Sequence, residues 1–284
     1  MHVLAVVGRP DEGRSALVDR VVDALSAHGT VAVVTSEAAT PGDATSTDVA
    51  TPPTLSRYRE AGANAAYEFG DEGWVGTGRS GTVADALDDL APDNDYCVLD
   101  GVDDATVPGV VLGDVDYAGP VLGRADEAAD VDVAAVHEDL LDRQPHETLE
   151  SLVERAKASP DADMAGAIAT FTGRVRAREH EDDERTTHLE FETYEAVAAD
   201  RMATIREELT ARDGVYEVLL HHRTGVVRAG EDIVFVVVLA GHRAEAFGTV
   251  SDGIDRLKDE VPIFKKEATT GEEFWVHERE TDAH

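Results

Sequence analysis

IVFVVVLAGHRAEAFGTVSDGIDRLKDEVPIFKKE, residues 233–267, decides the fold of the second half of this chain. Ile233–Leu239 is apolar at every position, which predicts a central strand covered on both faces. Gly241-His242-Arg243 marks the end of that strand. Beyond it Phe247, Val250, Ile254, Leu257 and Val261 recur at spacings of three and four, predicting a helix over 243–260 with one buried stripe. Pro262 stops the helix, because proline has no amide to donate. Working outward, the pattern predicts strands at 165–176, 187–194, 215–223 and 232–240, with helices at 196–212 and 243–260. Leu189-Glu190-Phe191-Glu192 alternates, so that strand has one wet face. Strands interleaved with helices in this way predict an α+β domain.

The first half follows a different pattern. Val3–Val7 is a short apolar strand, followed by Gly8, a turn over Arg9–Gly13, a helical pattern through Leu17, Val21, Val22 and Leu25, and a second strand, Val31–Val34. Strand, glycine turn, helix and strand make a βαβ unit, which predicts an α/β domain with a parallel, P-loop-like sheet and right-handed crossovers. Apolar strands at 96–100, near 109–112 and near 119–122 extend it. Residues 36–56, rich in Ser, Thr, Pro, Gly and Asp, read as a long loop. After Asp132 the apolar strands stop. Val136–Ala158 reads as helix interrupted at Pro145 and ended by Ser159-Pro160-Asp161. The expected division is an α/β domain over 1–142 and an α+β domain over 143–284.

The 284 residues carry 59 acidic and 25 basic side chains, a formal net charge of −34. Such a surface repels phosphate backbones and anionic lipid heads, which argues against nucleic acid and membrane partners. Dense carboxylates of this kind suit a solvated surface in high salt. The single cysteine, Cys97, sits in the apolar run Tyr96–Leu99 and reads as a buried small hydrophobe; a disulfide within the chain is impossible. The apolar part of MHVLAVVGRPDEG is short for a secretory signal and no run reaches the roughly twenty residues of a membrane helix, so the expected location is cytoplasmic. His221 and His222 lie on a strand without ligand-spaced Cys or carboxylates, and no metal site is expected.

Against this acidity the lysines stand out. Only four are present, and three of them, Lys258, Lys265 and Lys266, fall in KDEVPIFKK, residues 258–266. Elsewhere the chain uses arginine. A guanidinium is permanently charged, whereas an amine can lose its proton and act as a base or nucleophile, so the change of residue type suggests that an amine is needed. Lys258 flanks the helical stripe. Lys265 and Lys266 are expected on the connection after Pro262, converging with Lys258 on one pocket. At the other end of the helix, the first free amides beside His242 and Arg243 form an anion site. In FTGRVR, residues 171–176, alternation puts Arg174 and Arg176 on one face. Two adjacent guanidiniums repel each other unless an anion such as phosphate lies between them or each pairs with a surface carboxylate.

FTGRVR, the AGHR turn, LKDEVPIFKKE and the closing FWV, in this order between Ala165 and Glu278, resemble the MoaE family, the catalytic (large) subunit of molybdopterin synthase. The resemblance implies conversion of cyclic pyranopterin monophosphate to molybdopterin, with each dithiolene sulfur delivered as a thiocarboxylate on the C-terminal Gly-Gly of a small ubiquitin-fold (MoaD-like) carrier. It places substrate contacts on Arg174, Val175, Arg176, His242, Arg243, Lys258, Lys265, Lys266 and Glu267, and catalysis on Lys258 and Lys265. It also implies a homodimer with one carrier at each end, a pocket possible across the dimer interface, and no cofactor for the synthase reaction. The chemistry asks for the same residue types. Holding the liberated monophosphate needs fixed positive charge, from Arg176, His242 and Arg243, and proton transfers around the pterin need a group that titrates. Lys265 is expected nearest the carrier tail, with Lys258 as anion clamp and proton carrier. Lys266 stands where the family often has arginine and is expected to supply charge alone.

Gly8-Arg9-Pro10-Asp11-Glu12-Gly13-Arg14-Ser15 has the spacing of a phosphate-binding P-loop in the right strand-loop-helix setting, with Arg14 in the lysine position. A bulky guanidinium fits that slot poorly, and Asp11 and Glu12 oppose a triphosphate. This loop, the helix after it and SRYREAGA at 56–63 resemble the MobB P-loop adapter family over residues 1 to about 120. Gly8, Gly13, Arg14 and Ser15 are the candidate nucleotide contacts, and Asp100 the magnesium-side carboxylate, should GTP and magnesium bind at all. The expectation is a degenerate loop with a structural or adapter role. Two other readings remain open: a nucleotide-binding adapter of cofactor guanylylation whose second domain only docks the carrier, and a P-loop kinase acting on a pterin. The retained lysines favour the synthase, since docking an acidic tail could use arginine equally well.

Overall fold

The computed structural model describes residues 1–9, 13–35, 52–71, 73–78, 81–102, 106–181, 183–270 and 273–275. The chain divides into two compact units, Met1–His146 and Glu147–His284. The first contains β1 (His2–Val7), α1 (Arg14–Ser26), β2 (Val31–Thr35), α2 (Pro53–Glu60), β3 (Ala66–Gly70), β4 (Gly73–Thr77), α3 (Val83–Leu90), β5 (Tyr96–Asp100), β6 (Gly109–Leu112), β7 (Val121–Ala125) and α4 (Val133–Leu141). Its main sheet has the order β2-β5-β1-β6-β7 and is parallel throughout, as the βαβ pattern predicts. Side chains of a strand alternate faces, and β1 uses both. Leu4 and Val6 pack with Leu17, Val21 and Leu25 of α1 and with Val136 and Leu140 of α4. Val3 and Ala5 pack on the opposite face with Leu87 of α3, Cys97 and Leu99. Covering both faces explains why β1, β5 and β6 read as continuous apolar runs. Of the long loop expected over 36–56, residues 36–51 lie outside the described residues, and α2 begins within its last part. The β3–β4 hairpin carries no strong apolar period. α3 places Val83, Leu87 and Leu90 against the sheet, and a capping box, in which Thr82 and Asp85 satisfy each other's backbone amides, fixes its start.

The second unit contains α5 (Leu149–Lys157), β8 (Ala167–Arg174), β9 (Thr186–Thr193), α6 (Glu195–Thr210), β10 (Val215–His222), β11 (Gly225–Arg228), β12 (Asp232–Ala240), α7 (Arg243–Glu260), β13 (Ile263–Thr269) and β14 (Glu273–Trp275). Two antiparallel sheets form, β10-β12-β8 and β11-β9-β13-β14, giving the expected α+β class. β12 is the middle strand of its sheet. Val234, Val236, Val238 and Ala240 face Ile205 and Leu209 of α6 and Val250, Ile254 and Leu257 of α7. Phe235, Val237 and Leu239 face Leu152 and Ala156 of α5.

Three expectations change. The buried stripe of α7 runs through Ala246, Val250, Gly253, Ile254 and Leu257, and Phe247 is 66% exposed. Its ring falls one position outside the stripe because Gly253 lets the helix approach the sheet along the 246–250–253–257 line: a methyl group there would lie 3.1 Å from Val236 Cγ1. Lys265 and Lys266 lie on β13, not on a connection, because that segment pairs with β9 along its whole length. β8 ends at Arg174, two residues earlier than the pattern suggested. Among the described residues, no helix is long and apolar enough to cross a membrane.

Candidate functional site

A cleft of about 770 Å³ opens in the second unit where α7, β8, β9, β10 and β13 come together. Its floor is apolar, made by Phe171, Leu189, Phe191, Ile254, Leu257, Val261 and Ile263. Polar groups enter from several elements. Lys258 comes from the last turn of α7, next to the buried Leu257. On β13 the period of two sends Ile263, Lys265 and Glu267 to the cleft and turns Phe264 and Lys266 away. Lys265 stands opposite Phe191 on β9. Thr186 donates to Glu267 Oε1, fixing that carboxylate at the rim.

Arg174 and Arg176 also line the cleft. Arg174 Nε lies 3.1 Å from Asp232 Oδ1, and the same guanidinium donates to the Gly230 carbonyl. Arg176 lies 3.2 Å from Glu179. Both arginines therefore have carboxylate partners, one of the two alternatives left open by the sequence. The pairs are exposed, with arginine side chains 65% and 74% accessible, so each contributes at most about 1 kcal/mol. An arriving anion can replace such partners at little cost.

The remaining predicted residues lie elsewhere. Val175 is 2% exposed and packs with Leu189, Phe191 and Val227, supporting the strands beneath the cleft without lining it. Lys266 lies 3.9 Å from Glu190 on the other face of β13. His242 caps α7 at its N-terminus and Arg243 begins it, both exposed. At 1.5 Å per residue they stand about 22 Å along the axis from Lys258. Gly173 reveals why FTGRVR has a glycine: a methyl group there would lie 2.5 Å from Val234 Cγ1.

The structure adds His222, which the sequence reading treated as an ordinary strand residue. It lies at the end of β10, 8% exposed, and lines the cleft. Its Nδ1 is 2.7 Å from the Arg223 carbonyl and its ring meets Phe191 edge-on at 5.0 Å. Burial pushes its pKa below the ordinary histidine value, although the Arg223 carbonyl works in the opposite direction. No local signal could have marked it, since its position depends on where β10 ends relative to β9 and α7.

In the first unit the P-loop-like segment leads from β1 into α1. Gly13 caps the helix with φ of 86°, a left-handed conformation that glycine adopts freely, and Ser15 is exposed. Arg14 reaches back across the segment: Nε lies 2.7 Å from Asp100 Oδ1 at the end of β5, and Nη1 donates to the Gly8 carbonyl at 2.9 Å. Pro10, Asp11 and Glu12 lie outside the described residues. The guanidinium thus occupies the carboxylate that a magnesium ion would require and a carbonyl of the same turn. These residues do not fit a nucleotide triphosphate with its metal.

Cationic side chains from separate elements thus meet over an apolar floor in the second unit, an α+β domain. The MoaE protein family matches residues 142–260. A probable molybdopterin synthase from Haloferax volcanii is 54% identical over 280 residues, covering 98% of this chain and 100% of that protein. A molybdopterin synthase catalytic subunit from Pyrococcus abyssi is 35% identical over 124 residues, 44% of this chain and 82% of that protein. A solved structure of a MobB protein homolog from Bacillus stearothermophilus covers 50% of this chain and 100% of that chain at 19% identity, with a TM-score of 0.35. The chain belongs to the MoaE family of molybdopterin synthase catalytic subunits and is an enzyme of molybdenum cofactor biosynthesis.

Proposed function

We propose that the second unit is a sulfurtransferase, moving sulfur from the thiocarboxylated Gly-Gly end of a small ubiquitin-fold carrier to cyclic pyranopterin monophosphate and so making the dithiolene of molybdopterin. The observation that carries this reading is the meeting of Lys258 and Lys265, two of only four lysines, in one cleft with two arginines whose carboxylate partners are exchangeable. Arg174 and Arg176 receive the phosphate. The apolar floor takes the flat face of the pterin. Lys265, on the strand between β9 and β14, serves the reacting carbon, and Lys258 clamps the anion and carries protons. Lys266 contributes charge and Glu267 orients the substrate from the rim. His242 and Arg243, about 22 Å along α7 from Lys258 at 1.5 Å per residue, serve the cleft of a second copy, which makes the working form a homodimer with one carrier per protomer. The test mixes the protein with thiocarboxylated carrier and cyclic pyranopterin monophosphate and assays dithiolene product. Wild type should form it, and Lys265→Arg, which keeps the charge but loses the titratable amine, should lose most turnover. Near-normal product from that variant refutes the role of Lys265.

For the first unit we infer a structural or adapter role without nucleotide hydrolysis, supported by the Arg14–Asp100 pair. Titration of the full chain with GTP and magnesium should give no micromolar binding, and a micromolar isotherm would overturn this inference.

A further inference from the structure

β9 and β13 pair in unbroken register from Ile263 to Ala268, and there the register slips: Ala268 stands opposite His188, and Thr269 opposite Thr186. β9 therefore carries one extra residue, Thr187, as a β-bulge. In a regular strand the period of two would send Thr187 to the face of Leu189 and Phe191. With the bulge it is Thr186, 5% exposed, that lines the cleft beside them, while the Thr187 hydroxyl bonds the Ala268 carbonyl.

A hydroxyl has one proton to donate, and that of Thr186 goes to Glu267 Oε1. Glu267 and Lys265 share the cleft face of β13, two residues or about 6.6 Å apart along the strand at 3.3 Å per residue. A glutamate and a lysine at that spacing can reach each other. Yet among the described residues no hydrogen bond or ion pair reaches the Lys265 amine, whereas Lys157 has Glu154 and Lys266 has Glu190. The other carboxylate lining the cleft, Glu179, lies with Arg176.

We propose that Thr186 is a positioning residue: by anchoring Glu267 it keeps that carboxylate off Lys265 and leaves the amine to the substrate. The inference rests on the sulfur-transfer reading for what the amine then does. Without the hydroxyl, Glu267 turns to the cation two residues away on its own face. An amine paired with a carboxylate is a poorer base and nucleophile, because the partner stabilises its charged form.

The test places Thr186→Val, which keeps the β-branched shape without the hydroxyl, in the full chain. Acetic anhydride is added at one fixed pH, and site-resolved mass spectrometry compares acetylation of Lys265 with that of the exposed Lys157. The ratio should fall about fivefold, the factor that corresponds to an ion pair of about 1 kcal/mol. Adding Glu267→Gln should return it to the wild-type value, and Thr186→Ser should keep it there. An unchanged ratio in Thr186→Val, or a fall that Glu267→Gln does not reverse, overturns the proposal. With thiocarboxylated carrier and cyclic pyranopterin monophosphate, kcat of Thr186→Val should fall by a similar factor while KM changes less than twofold. A lower kcat with Lys265 acetylation unaltered would mark a packing role and refute the inference. Should Thr186→Val fail to fold, Thr186→Ala carries the same comparison. Should wild type make no dithiolene, the sulfur-transfer reading fails, and acetylation still decides whether Thr186 holds Glu267 away from Lys265.

Discussion

Gly173→Ala tests whether the floor of the cleft is as tightly set as the geometry requires. The added methyl would lie 2.5 Å from Val234 Cγ1 and 3.4 Å from Phe171 Cε1. Ordinary carbon contacts begin near 3.5 Å, so Val234 must move by about 1 Å. Val234 is 7% exposed and belongs to the core that β12 shares with α6 and α7, so it has little room to yield. Overpacking of this kind costs about 1–3 kcal/mol, and the reduced freedom of the unfolded chain with alanine returns about 0.4–1 kcal/mol. The net loss should be roughly 1–2 kcal/mol, or about 2–8 °C in Tm at 2–4 °C per kcal/mol for a unit near this size. Thermal and urea unfolding, followed by Trp275 fluorescence in a Trp74→Phe background, isolates the second unit. Val234→Ala removes the atom that clashes, so in a double-mutant cycle the second substitution should recover about 1 kcal/mol of the first loss. Stability unchanged in Gly173→Ala, or strict additivity in the cycle, would show that the contact does not constrain the core.

The other expectations concern charge and protonation. Lys265→Arg should reduce turnover by about 10²–10⁴-fold, the range for removal of a positioned acid–base group, measured as dithiolene formation. Asp100→Ala leaves the Arg14 guanidinium, 16% exposed, without its carboxylate, and should cost about 1–3 kcal/mol in urea unfolding of the first unit. Burial pushes the Cys97 thiol up to about 11, so a thiol reagent at neutral pH should label the folded chain only at the rate at which it opens, and rapid stoichiometric labelling would contradict the burial. His222, buried with its pKa below the ordinary value, binds fewer protons folded than unfolded. Stability should therefore be fully present above about pH 6.5 and decline as pH falls from there through the folded-state pKa, and His222→Asn should remove that part of the acid sensitivity.

What the sequence made legible follows what is local. β12 and α7 could be read because an apolar run and a three-four repeat are written in consecutive residues, and β1, α1 and β2 for the same reason. β13 escaped because IFKKEAT has charged residues on both faces. Its strand conformation comes from pairing with β9, about 70 residues earlier in the chain, which no local window contains. The site shows the same division. Residue type marked Lys258 and Lys265 before any fold was known, and the strand period then separated Lys265 from Lys266. Arg243 and Lys258 both flank one helix, yet the length of α7 sets them apart. His222 carried no sequence signal because its chemistry arises from burial and from one backbone carbonyl.

The short helix α5 has a consequence for dissecting this protein. The motifs that mark the family begin near Ala165, and a fragment started there would keep every cleft residue named above. It would also strip Leu152 and Ala156 from Leu219, Phe235, Val237 and Leu239, leaving a greasy β-surface open to water. Such a truncation should clump or precipitate although its chemistry is intact, whereas one begun at Glu147 would carry its own lid for the sheet.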